Sequence, residues 1–193
     1  MAASNPRDYR KHGNLVCSAL NFLYGLSNCS YMGGLLSREK LEALIRKEGL
    51  NAKILTFKEP TITVESAVRQ LGVNREKIIK TMLFVDEKGV PILAIVTGDR
   101  RVSETKLAVA CNTQKVRIAR PSSVKHLTGY EAGALPPIGH KRSIRTFIDP
   151  KVMSLNKVYG GGGEINALLE VSPQDIKRLT NAKVVDISEG NIL

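Results

Sequence analysis

The chain contains no tryptophan, and aromatic residues make up only 5% of its 193 residues. Its interior must therefore come from aliphatic side chains, and the 42% hydrophobic content is enough for one well-buried core. Cysteine is scarce: Cys17, Cys29 and Cys111 are too few and too scattered for a disulfide framework, and no C-x-x-C spacing offers a zinc or redox pair. A reducing cytoplasm is the simplest setting. His12, His126 and His140 form no H-x-x-x-H group, so no metal and no cofactor is expected. Long apolar runs are lacking too. Residues 15–26 resemble the apolar region of a signal peptide, but the run is too short to cross a bilayer and no clear cleavage site follows it. No membrane partner is expected. Residues 1–34 read as an N-terminal extension, whether a short packing helix, a poorly ordered arm or a stretch left untranslated by a start at Met32, and residues 35–193 as one domain.

Acidic residues are the last shortage. Eighteen Asp and Glu stand against 29 Lys and Arg, leaving a net charge of +11, which favours a polyanionic partner such as RNA. Lys115, Arg117 and Arg120 cluster on one side of a glycine- and proline-rich stretch, with Lys141 and Arg142 on the other. These five are the candidate RNA contacts, although a run of charge is also what a solvated face looks like.

Regular patterning starts after Leu36. Ser37 is placed to cap a helix with Leu41, Leu44 and Ile45 on one face and Gly49 at its end. Ala52–Phe57 reads as a strand, and Val64, Ala67, Val68 and Leu71 as a helix stopped by Gly72. Lys80–Val85 and Val90–Thr97, joined by the turn Asp86–Gly89, form a hairpin. A helix from Ser103 to Cys111 follows, with short strands at Val116–Ala119, Thr146–Ile148, Ala167–Val171 and Val184–Ile187, and a helix opened by Ser172-Pro173. The order lacks the steady alternation of a doubly wound fold, so the expected class is α+β with a mixed, mainly antiparallel sheet flanked by helices.

Two features could carry chemistry. Lys80 heads an apolar strand, where its ammonium could snorkel to water or sit at a pocket rim and orient a phosphate or ribosyl ester. The loop Thr128-Gly-Tyr-Glu-Ala-Gly-Ala-Leu-Pro-Pro-Ile-Gly139 could aim free N–H groups at an anion or carbonyl, or be a tight turn with no ligand. The glycine run Gly160–Gly163 lacks the G-K-[ST] and G-x-G-x-x-G contexts of nucleotide loops. Ser122, Ser123 and His126 are too close in sequence for a triad, and no G-x-S-x-G elbow is present.

Lys80-Thr81 on an apolar strand, followed some fifty residues later by Gly133-x-x-x-Pro137, resembles the two signature elements of the YbaK/ProX family of trans-acting aminoacyl-tRNA deacylases, relatives of the editing domain of bacterial prolyl-tRNA synthetases. The likeness runs from about Arg38 to Ile187 and includes Ile54-Leu-Thr-Phe57, Thr128-Gly-Tyr130, Pro137-Ile-Gly139 and Val171-Ser-Pro-Gln-Asp-Ile176. It implies a partly barrel-like sheet, and hydrolysis, without a metal, of the ester joining a wrong amino acid to tRNA, with a synthetase as a further partner. It also implies that Lys80 and the backbone at Gly133 and Ala134 are catalytic. Substrate-binding roles carried over with it fall on Phe57, Thr81, Tyr130 and Leu135, and on Pro136, Pro137, Gly139 and Asn166. YbaK-like members commonly carry two glycines where this chain has Gly133-Ala134, and an acid where it has Leu168, whereas Asn166-Ala167 is similar to the ProX-like branch. Cysteinyl- and alanyl-tRNA are both open as substrates. Two readings from other classes compete: a non-catalytic tRNA- or synthetase-binding module of the same fold, and a hydrolase of small esters, which leaves the charge unexplained.

Overall fold

The structure, a computed structural model, describes residues 36–191. The apolar stretch at 15–26, Met32, Cys17, Cys29 and His12 lie outside the described residues. Helix α1 (Arg38–Lys47) turns its one fully buried side chain, Leu41, into the core. Strand β1 (Lys53–Thr56) and helix α2 (Val64–Leu71) follow; α2 starts in a reciprocal box between Thr63 and Ser66 and ends at Gly72 in the left-handed conformation. A single 3-10 turn (Arg75–Lys77) leads into the hairpin of β2 (Ile79–Asp86) and β3 (Pro91–Thr97). Asp86 fixes that turn, its carboxylate accepting from the N–H groups of Lys88 and Val90.

Beyond the hairpin come β4 (Arg100–Val102), α3 (Glu104–Cys111), β5 (Val116–Ile118) and α4 (Pro121–Thr128). The loop at 129–144 leads to β6 (Arg145–Ile148), the short α5 (Pro150–Met153), β7 (Val158–Gly161) and β8 (Ala167–Val171). Helix α6 (Pro173–Thr180), capped by the Ser172 hydroxyl, β9 (Lys183–Val184) and β10 (Ser188–Asn191) complete the described chain.

Among the described residues, ten strands fall into three sheets, ordered β5-β2-β3-β6-β9, β1-β8-β7 and β10-β4. Every pairing is antiparallel except β3 with β6 and β6 with β9. That is the mixed, mainly antiparallel α+β architecture expected. The partly barrel-like closure does not appear in the ladders of the described residues, which leave three separate sheets, two of them linked by a bridge between Ile78 and Tyr159. The expected strand Val184–Ile187 is also corrected: pairing with β6 ends at Val184, Ile187 is fully buried, and the polar segment after it pairs with β4 instead.

The middle strand β3 is buried on both faces, with Leu93 and Ile95 packed on one side and Ala94 and Val96 on the other. Because β2 is held against it over its whole length, the position of Lys80 at the start of β2 is set by the best-packed part of the molecule.

Candidate functional site

A cavity of about 220 Å³ opens beside the start of β2. Its walls are Ile79–Met82 from β2, Thr61–Val64 leading into α2, Gly133 and Leu135 from the long loop, and Gly160 and Gly161 from β7. The two features marked in the sequence, Lys80 and the Gly133 loop, thus share one cavity although fifty-three positions separate them.

Lys80 is half-buried, and its ammonium donates to the carbonyls of Gly98, at 3.4 Å, and of Arg100. Gly98 is itself closely packed, since a Cβ there would fall 2.6 Å from the Arg75 carbonyl. Burial pushes the Lys80 pKa below the usual lysine range; Asp99 opposes the shift, and Arg101 and Arg75 add to it. Asp99 is itself held by Lys151 at 2.7 Å, and Arg75 by Glu65 at 2.6 Å. An ammonium has three donors, and two carbonyls account for two of them.

Gly133 adopts φ +92°, a conformation that strains any residue with a Cβ, and a Cβ here would come within 2.8 Å of Ile62 on the facing wall. The Ala134 N–H donates to Glu131 O at 3.1 Å and its carbonyl accepts from the Gly163 N–H, so Ala134 is committed to holding the loop and does not line the cavity. The Gly133 N–H makes no backbone hydrogen bond among the described residues. The glycine run is explained by close packing: a Cβ on Gly161 would lie 2.5 Å from Leu135 O, and one on Gly162 2.7 Å from the Ala167 backbone.

Of the other expected site residues, Thr81 and Leu135 reach the cavity and the rest do not line it. Tyr130 is 1% exposed, and its hydroxyl donates to Gly139 O at 3.2 Å; burial pushes its pKa up to about 12. Asn166 ties the turn before β8 to the end of β1, its amide donating to Phe57 O at 3.0 Å. Phe57 packs with the group formed by Ala67, Ile78 and Leu168. The Pro136 carbonyl meets the His140 ring nitrogen at 2.8 Å, Pro137 lies against Gly160, and Gly139 turns at φ +80° beside Leu41 and Leu44. These residues shape the loop from behind.

The basic candidates are dispersed. Arg117 pairs with Val85, five residues along β2 from Lys80 and so roughly 17 Å away, with Lys115 and Arg120 exposed near it. Lys141 packs against Gly129, and Arg142 lines a second cavity of about 310 Å³ with Leu44, Glu48 and His140. The cations whose charge acts on Lys80 are Arg75 and Arg101, which sequence reading passed over. Arg101 could have been found from the hairpin: a residue just past the end of β3 returns beside the start of β2. Ser122, Ser123 and His126 lie on α4, and no cluster of three His, Cys, Asp or Glu side chains occurs among the described residues.

Among known proteins, the family described as the aminoacyl-tRNA editing domain matches residues 58–179. A candidate Cys-tRNA(Pro)/Cys-tRNA(Cys) deacylase of Enterococcus faecalis, EbsC, is 27% identical over 132 residues, which is 68% of this chain and 80% of that protein. A proline--tRNA ligase of Pelotomaculum thermopropionicum is 37% identical over 112 residues, 58% of this chain but only 19% of the ligase. A solved hypothetical protein superposes with TM-score 0.73 at 38% identity, over 78% of this chain and 99% of its own. A crystal structure described as a candidate trans-editing enzyme for prolyl tRNA synthetase gives TM-score 0.73 at 28% identity, over 79% and 97%.

Proposed function

Because the chain belongs to the aminoacyl-tRNA editing domain family, we propose that it is a trans-acting deacylase that hydrolyses the ester between a misattached amino acid and the terminal adenosine of tRNA in the cytoplasm. The observation that carries this reading is the meeting of Lys80 and Gly133 on one cavity of about 220 Å³, which has room for an aminoacyl group. Cys-tRNA(Pro) and Ala-tRNA(Pro) are the proposed substrates. Ile62, Val64, Met82, Leu135 and Leu168 supply an apolar wall against which a methyl or thiol can pack.

The ester is already activated, so the chemistry needs position and electrostatics more than a protein nucleophile. Water attacks the ester carbonyl carbon, assisted by the vicinal ribose hydroxyl or the substrate thiol, and the C–O bond to the ribose breaks. The proton lost by the water ends on the ribose oxygen, releasing free amino acid and intact tRNA. The third N–H of the Lys80 ammonium anchors the terminal phosphate or ribose, and the Gly133 N–H faces the charge that develops on the carbonyl oxygen. No metal takes part in this scheme. A prolyl-tRNA synthetase is the proposed second partner, since related domains occur within such enzymes.

One observation favours a second reading: with its N–H committed to Glu131, Ala134 removes a donor from the loop, as a non-catalytic tRNA- or synthetase-binding module would tolerate. Initial rates on separately charged Cys-, Ala-, Ser- and Pro-tRNA distinguish the two. Release of Cys or Ala above the spontaneous rate supports editing; tRNA binding with no release of any of the four leaves the binding module.

A further inference from the structure

We propose that the main chain of Thr81 binds the aminoacyl group itself, its carbonyl accepting from the α-ammonium and its N–H donating to the ester carbonyl, as though the substrate were one residue added to an open sheet edge. This inference rests on the editing reading and deepens it.

Along a strand the peptide groups point alternately to either side. Three hydrogen bonds set the phase in β2. Asp86 N–H donates to Val90 O, and Gly98 N–H donates to Ile78 O, so these even-numbered residues face β3. Ala119 N–H donates to Leu83 O from the opposite side. Residues 79, 81 and 83 therefore direct their N–H and C=O groups away from β3.

That outer edge is covered at both ends. β5 pairs with Phe84–Asp86, Ala119 takes the Leu83 carbonyl, and the bridge between Ile78 and Tyr159 closes the start. Between them β7 moves away from β2. The bridge at Ile78 is isolated and is not continued as a ladder to Thr81, while Gly160 and Gly161 of β7 line the same cavity. Thr81 stands in the gap, reached on its outer side by no ladder among the described residues, and it lines the cavity.

Unpaired backbone groups in a partly enclosed wall are satisfied by water or by a ligand. An amino acid in extended conformation shows its nitrogen and its carbonyl oxygen on the same side. That is the arrangement in which two opposed residues of an antiparallel ladder exchange both hydrogen bonds. Such a contact reads what every aminoacyl ester shares and leaves the apolar wall to sort side chains. The ligand class is an α-aminoacyl ester with a free ammonium.

The test compares deacylation by the full chain of one tRNA carrying alanine or cysteine with the same tRNA carrying the N-acetylated amino acid. The ammonium-to-carbonyl bond is charge-assisted, so acetylation should lower the rate by about 30-fold or more. Thr81→Val, which keeps the main chain, should retain this discrimination. Thr81→Pro removes an N–H that the ladder does not use and should lower the rate on the free substrate. Equal rates on free and acetylated substrates overturn the inference whether or not the proline variant folds, as does a folded Thr81→Pro with the original rate. Hydrolysis of neither substrate overturns the editing reading and this inference with it, an outcome distinct from indiscriminate hydrolysis.

Discussion

Lys80 keeps an ammonium in a half-buried wall where burial and two arginines disfavour charge, and it is held there by two backbone carbonyls. Lys80→Ala should lower deacylation on the order of 100-fold while the thermal midpoint stays close to that of the unaltered protein. Gly133→Ala introduces a Cβ 2.8 Å from Ile62 at φ +92°, and should also cost on the order of 100-fold by displacing the loop amide, with Ile62→Ala restoring part of the loss. His140 gives a stability signature instead. Its ring is pushed down to about 4 from 6.5, chiefly by burial, so between those pH values the unfolded chain binds a proton that the folded chain does not. Stability from this group is complete above the unfolded value and falls by up to about 3 kcal/mol as pH drops toward 4. His140→Gln should flatten the melting temperature against pH across that window; an unchanged slope would mean that the ring titrates freely. At this scale the sequence singled out Lys80 and Gly133, because a lysine opening an apolar strand and a glycine in a proline-stiffened loop are unusual, and both line one cavity. It did not reveal that Tyr130 and Asn166 hold backbone in place, since a buried hydroxyl and a ligand-binding one are the same letter.

The elements that build the cavity differ in how openly they were written. Helix α2 was legible because its apolar spacing and terminal glycine agree, and it follows the wall at Thr61–Val64. Thr63→Ala should cost about 1 kcal/mol through loss of the cap, measured by denaturant unfolding. Strand β7 was not legible: Val158-Tyr-Gly-Gly161 has poor strand propensity and forms because β8 supplies its pairing. Its glycines are fixed by contacts distant in sequence. Gly161→Ala places a Cβ 2.5 Å from the Leu135 carbonyl and should destabilise the protein by about 1–3 kcal/mol while opening the cavity; a neutral result would mean that the loop is not clamped there. β4 and β10, Arg-Arg-Val and Ser-Glu-Gly-Asn, were missed because polar edge pairs lack the alternation that marks half-buried strands.

Across the whole molecule the charge of +11 is spread over several faces, while the cavity brings together Lys80, Arg75 and Arg101 near its wall. tRNA affinity should therefore fall steeply with salt, and Arg101→Ala should reduce the slope of log affinity against log salt by about 1. The same substitution should leave hydrolysis of a small aminoacyl ester almost untouched. Composition showed the excess of positive charge; the folded hairpin was needed to say which cations stand beside Lys80. The central claim is that the shared cavity hydrolyses aminoacyl-tRNA with Lys80 as its anchor, and single-turnover deacylation of Ala-tRNA(Pro) and Cys-tRNA(Pro) by the unaltered protein and by Lys80→Ala tests it most directly. The account predicts rapid release of at least one amino acid by the first and a rate near the spontaneous one with the second. Equal rates for the two proteins, with folding and tRNA binding intact, would contradict it.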